Sequence, residues 1–483
     1  MTFLKDAPRP PVKRDTVNPP KLLEFMMKDW KPQSSVMPKP HRHAAVFKAR
    51  RAALSAKFPG DVLIIPTGHE LTRANDTHFR FRPGSDFFWL TGNHEPDCVL
   101  VMTPTKKGHD AHLFVEPNPG RSNETFYTDR KKGELWVGPR FGVEQSRAYF
   151  GVEHARPLNE FPKFLSDYPL ARVLRGLSPS VDQLRSPNHE RPGDAELATA
   201  ISELRLIKDK LEVKELQAVI DATKRGFEDV IRALGTAKSE REVEGLFGYR
   251  ARVDGNDVGY GTIAAAGAHA CILHWTRNDG ALRKQDLLLL DAGVEGNQLY
   301  TADITRTMPI SGKFSKEQRE IYELVWNAQQ AAFAAVKPGN DFMEPNRRAM
   351  RVLAEGLVKL GILKTTADEA LEDQHQFYKR YSLHNVSHML GLDVHDCAKA
   401  RMEVYRYGPL QPGMVLTVEP GLYFQEDDLT VPKKYRGIGI RIEDDLLVTA
   451  KGFQNLSKDI PSEASAVEKW MRAVRRQRSP SSR

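Results

Sequence analysis

The chain has 483 residues, of which 40% are hydrophobic and 28% charged, with a formal net charge of +8. That length and composition describe a globular chain of two or three domains with a large core. Only three cysteines occur, Cys98, Cys271 and Cys397, so no disulfide framework is expected, and no apolar run approaches the roughly 18–20 residues of a membrane span.

In chain order, residues 1–40 are rich in Pro and Lys and are expected as an extended segment over the surface. They contain no apolar stretch of the kind a secretory signal needs, which together with the cysteine count implies a reducing, cytoplasmic setting. Residues 41–177 mix helix and strand, with strand candidates in DVLIIPTG (61–68) and CVLVMTPT (98–105), and form a smaller α/β domain. Residues 178–196 read as a linker, with three prolines between 178 and 193. A larger α+β domain spans 197–465. It opens with a helical pattern that runs to near Leu234. A second helix is expected over 315–336, where Ser315 and Gln318 make a capping box and Lys337-Pro338-Gly339 stops it. Residues 466–483 form a basic tail, whose end, MRAVRRQRSPSSR, reads as solvated and disordered.

Four short segments of the larger domain carry carboxylates and histidines. LLLLDAG (287–293) is a buried strand with Asp291 at its end, and TADITRT (301–307) alternates so that Asp303, Thr305 and Thr307 share a face. A hairpin centred near Asn297, with a three-residue loop, would set Asp291 opposite Asp303. Two like charges so placed need a cation between them. HNVSHMLGLDVHD (384–396) holds His384, His388 and His395, the first two on one face in either a helix or a strand. In MVLTVEPGLYF (414–424), Val415, Thr417 and Glu419 share a face, and Pro420-Gly421 ends the strand beside a cleft. In GIGIRIEDD (437–445), Arg441 and Glu443 lie on the face opposite Ile438, Ile440 and Ile442, which puts a guanidinium next to the last carboxylate.

Other motifs are excluded. The glycines of GYGTIAAAGAHAC (259–271) make no dinucleotide fingerprint, and Gly312-Lys313-Phe314-Ser315 lacks the upstream glycine of a P-loop. No nucleic-acid-binding motif accompanies the basic tail, and neither nucleic acid nor membrane is expected as a partner.

In order and wording, the four segments resemble the metallopeptidases with the pita-bread fold, a family that includes methionine aminopeptidase, prolidase and aminopeptidase P. The resemblance is strong over about 200–460. FRPGSDFFWLTGNHEPDCVLVM (81–102) and ELRLIKDKLEVKELQAV (203–219) are similar to aminopeptidase P in particular. The resemblance implies a pita-bread catalytic domain and a dinuclear site for two divalent ions. Asp291 would bind one ion near the substrate's amino group, Asp303 and Glu443 would bridge both, and His388 and Glu419 would complete the second. Glu419 would also shuttle the proton. His395 would hydrogen-bond the scissile carbonyl, with His274 lining the site. His384, Tyr423 and Arg441 would form the substrate wall, the last two touching the ligands. Oxygen-rich ligation favours Mn²⁺ before Zn²⁺. The chain departs from the family in two places: the interval from Asp291 to Asp303 is one residue longer, and Asn385 stands where many members have glycine. The activity so implied is release of the first residue from peptides with proline second, by a homodimer or homotetramer. Prolidase action on Xaa-Pro dipeptides and a non-catalytic pita-bread binding protein are the alternatives.

Overall fold

The computed structural model describes residues 18–31, 36–183 and 192–477. Much of the expected N-terminal segment, the centre of the linker and the end of the basic tail lie outside the described residues. The chain divides into two compact units between Asp194 and Ala195.

The first unit is built on a five-stranded mixed sheet. Its strands run His154–Pro157, Gly108–Val115, Val99–Thr105, Leu63–Pro66 and Arg172–Val173 across the sheet, with the two edge strands parallel to their neighbours. Both strand candidates from the sequence are central strands. Ile64, Val101, Phe114 and Val173 pack there against Phe161 and Leu165. SDFFWLT folds as the helix Ser85–Thr91. The buried Arg50 and Arg51 of the helix Ala44–Ser55 donate to the carbonyls of Trp89 and Leu90 at its end, at 3.1 and 2.9 Å, where helix carbonyls lack intrahelical partners. The segment expected as extended contains a short helix, Pro20–Met26, started by a proline at its first turn and burying none of its residues.

The second unit holds two three-stranded antiparallel sheets. In the first, Leu287–Ala292, buried at every position, lies between Ile263–Ala266 and Ile304–Pro309. In the second, Asp444–Thr449 lies between Val415–Val418 and Gly452–Asn455. One helix pair, Lys210–Ala233 and Glu240–Asp254, accompanies the first sheet, and a second pair, Lys316–Ala335 and Glu344–Lys359, the other. The expected single helix from 197 to 234 is two helices, Pro192–Arg205 and Lys210–Ala233. The break is set by Asp209, whose carboxylate accepts from the Leu211 and Glu212 N–H groups while Glu212 reaches back to the Asp209 N–H. The Ser315–Gln318 capping box starts Lys316–Ala335 as read.

The expected basic tail is a helix as far as Arg476. Ala464–Arg476 buries Val467, Trp470, Met471 and Val474. Those four positions fall at i, i+3, i+4 and i+7, one apolar stripe of a helix, and the arginines occupy the other faces. Among the described residues, no helix is long and apolar enough to cross a membrane.

Candidate metal and peptide site

The strand Leu287–Ala292 delivers Asp291 to the edge of a cavity of about 600 Å³. The expected hairpin forms, but its centre lies one residue later than read. Glu295 faces Thr301 and Asp291 faces Thr305. Asp303 is therefore the diagonal neighbour of Asp291 on the same face, not its direct partner. The turn is longer than three residues: the Gly296 N–H donates to Tyr300 O at 2.9 Å, and Leu299 takes a left-handed conformation with φ 62°.

His388 sits in neither a helix nor a regular strand. Its segment runs extended beside Val415–Val418: the Leu390 N–H donates to Val415 O at 3.0 Å, the Thr417 N–H to His388 O at 3.0 Å and the Glu419 N–H to Val386 O at 2.8 Å. This pairing fixes His388 beside Glu419, with His388 Nε2 3.5 Å from Glu419 Oε1 and 3.2 Å from Asp303 Oδ2. The other ring nitrogen, Nδ1, lies 3.1 Å from Met389 O. A proton on Nδ1 leaves the Nε2 lone pair free for a ligand bond. The strand Val415–Val418 stops before Pro420-Gly421 as read, and Gly421–Tyr423 begins a new strand against Gly439–Arg441 in a different sheet. Glu419 is thus held at the step between two sheets. Glu443 lies where Gly439–Arg441 passes into Asp444–Thr449; its N–H donates to Thr305 O at 3.1 Å, and its Oε2 accepts from Thr305 Oγ1 at 2.7 Å.

Arg441 does not pair with Glu443 as the strand alternation implied. It reaches across to Asp291, with Nη2 2.6 Å from Asp291 Oδ2 and Nη1 3.0 Å from the Tyr423 hydroxyl. Strand periodicity fixes the face of a long side chain but not which neighbour its tip meets. His384 Nε2 lies 2.7 Å from the same Tyr423 hydroxyl. The His395 ring meets His388 edge to face at 4.4 Å, and His274 lines the same cavity.

Tyr260 is the residue that motif reading missed. Its hydroxyl lies 2.7 Å from Asp291 Oδ1 and 2.5 Å from Asp303 Oδ1, so it bridges the two aspartates. The available signal was a hydroxyl-bearing aromatic between Gly259 and Gly261, one strand before Asp291. Tyr405 and Arg406 also border the cavity unread. The Tyr405 hydroxyl accepts from the Met389 N–H at 2.7 Å and steadies the turn after His388.

The electrostatics call for added positive charge. Burial raises the Asp291 carboxyl, and Asp303 adds to this against the pull of Arg441. Burial pushes Glu419 up to about 7 and Glu443 well above the carboxylate range, with the neighbouring carboxylates reinforcing it. Burial alone would lower His388, but Asp303 and Glu419 outweigh it and lift the imidazole to about 9. Burial and then Arg441 lower His384 to about 4, so it faces the cavity neutral. Ligand atoms of Asp303, His388 and Glu443 all lie within 4.8 Å of one another. Glu419 adjoins this group through His388, and Asp291 joins it through Tyr260. Four crowded carboxylates, three of them buried and Glu419 partly so, with one imidazole are a donor set suited to divalent cations.

Comparison with known proteins agrees with this chemistry. The model of metallopeptidase family M24 matches residues 214–450, and that of the aminopeptidase P N-terminal domain matches residues 47–172. Xaa-Pro aminopeptidase 1 of Streptomyces coelicolor is 49% identical over 94% of this chain and 92% of its own length. The chain belongs to the aminopeptidase P branch of metallopeptidase family M24. Aminopeptidase P from E. coli with the inhibitor Pro-Leu is 32% identical, covers 90% of this chain and all of its own, and superposes with a TM-score of 0.80. The Zn-substituted E. coli aminopeptidase P in complex with product is 31% identical, with the same coverage and a TM-score of 0.78. The fold of the second unit is accordingly the pita-bread fold of aminopeptidase P, preceded by the N-terminal domain of that branch. The chain is a metallopeptidase, a hydrolase of a family that works with divalent metal ions.

Proposed function

We propose that the protein is an Xaa-Pro aminopeptidase that releases the first residue from peptides with proline in second place. The observation that carries this reading is the meeting of Asp291, Asp303, His388, Glu419 and Glu443 at one cavity, in a chain similar to Xaa-Pro aminopeptidases over nine-tenths of its length. The Pro-Leu inhibitor of the E. coli relative fits it, because Pro-Leu is what remains when Xaa-Pro-Leu loses its first residue. The matched relatives are named for this activity, which disfavours the prolidase alternative.

Asp291, Asp303, His388, Glu419 and Glu443 would hold two divalent ions. Such a pair supplies a nucleophilic water at neutral pH and positive charge for the oxyanion. The chain's own groups do the rest. Asp291 faces the peptide's amino end. Glu419, which lies 3.5 Å from His388 Nε2 at the cavity, takes the proton of the attacking water and returns it to the leaving proline nitrogen. His395 and His274 line the same cavity and hydrogen-bond the carbonyl oxygen as charge develops on it. Neutral His384, backed by Tyr423, forms a wall for the proline ring. The oxygen-rich donor set favours Mn²⁺ over Zn²⁺. A homodimer or homotetramer is proposed by analogy within the family. A cytoplasmic setting is supported by three buried, unpaired cysteines.

The test uses protein stripped of metal and reloaded with Mn²⁺. An Xaa-Pro-Yaa tripeptide should lose its first residue, and an Xaa-Pro dipeptide should persist. Cleavage of the dipeptide alone would restore the prolidase reading. Cleavage of neither, with metal bound, overturns both.

A further inference from the structure

The histidine-bearing loop is anchored at a point outside the cavity. Asp396 directly follows His395 and is 2% exposed. Its N–H donates to Met389 O at 2.9 Å and closes the loop between them. Its Oδ2 accepts from Lys208 Nζ at 2.7 Å, and its Oδ1 accepts from the Arg205 guanidinium, which also reaches Asp393 Oδ2 at 2.8 Å. Both cations are themselves fixed: Lys208 Nζ donates to Arg205 O at 2.6 Å, and the Lys208 N–H to Gly413 O at 2.8 Å. Gly391, inside the loop, leaves room for this carboxylate, since a Cβ there would lie 2.2 Å from Asp396 Oδ2.

A buried ion cluster of this kind is a weak source of stability, because well-packed apolar residues often do as well. What it supplies is one geometry. We infer that Asp396 is a positioning residue for His395, with Arg205 and Lys208 fixing the carboxylate and the Asp396 backbone holding the imidazole at the cavity edge. This rests on the proposed role of His395 at the scissile carbonyl. The loop closure at Met389 links the same anchor to His388, so metal content is the control that separates the two histidines.

The test is a kinetic double-mutant cycle on the full-length, metal-loaded enzyme with an Xaa-Pro-Yaa tripeptide, using Asp396→Asn, His395→Ala and the double variant. Asp396→Asn is expected to lower kcat about 10–100-fold, the range seen for residues that orient a working side chain, with KM and metal content unchanged. The double variant is expected to be no slower than His395→Ala alone, because the anchor then has nothing to position. Equal losses from Asp396→Asn with and without His395 overturn the inference, as does normal turnover of Asp396→Asn beside a slowed His395→Ala. Normal turnover of His395→Ala overturns the role of His395 and the inference with it. Should Asp396→Asn fail to fold, Arg205→Gln, which removes one of the two cations, is put through the same cycle with the same criteria.

Discussion

Arg441 Nη2 stands 2.6 Å from Asp291 Oδ2, and both residues are buried. The same guanidinium also serves the Tyr423 hydroxyl at 3.0 Å and Thr305 Oγ1 at 3.3 Å, so one planar fork holds a candidate ligand and its surroundings together. An ammonium cannot reproduce that fork. Arg441→Lys should therefore weaken metal binding by about 10–100-fold, as loss of a ligand-orienting partner does, with the protein still folded. Titration calorimetry with Mn²⁺ measures it, and wild-type affinity would remove Arg441 from the site.

The Tyr260 hydroxyl touches both Asp291 and Asp303. Tyr260→Phe keeps the ring and removes that bridge. Metal affinity should fall by roughly 10-fold or more, with little change in thermal stability. An unaltered binding isotherm would show that the two aspartates are held by other contacts.

Asp303→Ala and Glu419→Ala should abolish hydrolysis, since each removes a proposed ligand and Glu419 is also the proposed proton carrier. His395→Ala should retain metal and lose about 10²–10³-fold in kcat, the usual effect of deleting an oxyanion donor. Metal analysis alongside turnover separates the two classes. Full activity of Glu419→Ala would end the assignment.

Gly293 follows Asp291 by two residues and sits where no side chain fits. A Cβ there would lie 1.7 Å from Ala302 O, a backbone atom of the segment leading into the strand Ile304–Pro309. Gly293→Ala should destabilise the protein by roughly 1–3 kcal/mol, as overpacking does, and should shift Asp303 off its position. Gly245, in the helix Glu240–Asp254, has open space around its Cβ position. Gly245→Ala should stabilise by about 0.5–1 kcal/mol. Urea unfolding of the two variants should move the midpoint in opposite directions.

Burial, then the neighbouring His154 and Arg156, lowers His112 to about 4 from its ordinary 6.5. Its folded form is thus held neutral where the unfolded chain would already be protonated. A lowered folded pKa for a base leaves stability unchanged above about pH 6.5 and erodes it as pH falls from 6.5 toward 4. His112→Phe should flatten that part of the profile for the N-terminal unit. Denaturation midpoints between pH 7 and 4 read it directly, and parallel profiles for the two proteins would exclude His112 as the cause.

Part of the candidate site was legible because Asp291 lies in a strand and Asp303, Glu419 and Glu443 lie just beside strand ends, where a period of two still assigns a face to each residue. Alternation gave each of these residues a face, and the resemblance to the pita-bread metallopeptidases implied a common site for Asp291, Asp303, Glu419 and Glu443; the four line one cavity. The hairpin register was off by two residues because a turn that uses a left-handed Leu299 gives no Gly or Asn signal at that position. The partner of Arg441 could not be read, since a long side chain chooses among neighbours that only the tertiary fold supplies. Tyr260 lies about thirty residues from Asp291 in a segment with no motif of its own, and the strand Ile263–Ala266 that follows it brings it in by pairing with Leu287–Ala292. The helix Ala464–Arg476 was hidden by its charge, although its buried stripe at 467, 470, 471 and 474 was present in the sequence.

The most direct measurement compares two tripeptides that differ only at the second residue, Xaa-Pro-Yaa and Xaa-Ala-Yaa, with the Mn²⁺-loaded wild-type protein and its Glu419→Ala variant. Mass spectrometry of the products should show release of the first residue from the proline peptide by the wild type, with the alanine peptide and both Glu419→Ala reactions left intact. Equal cleavage of the two peptides, or release of the first residue by Glu419→Ala, would contradict the proposed proline-specific, Glu419-dependent hydrolysis.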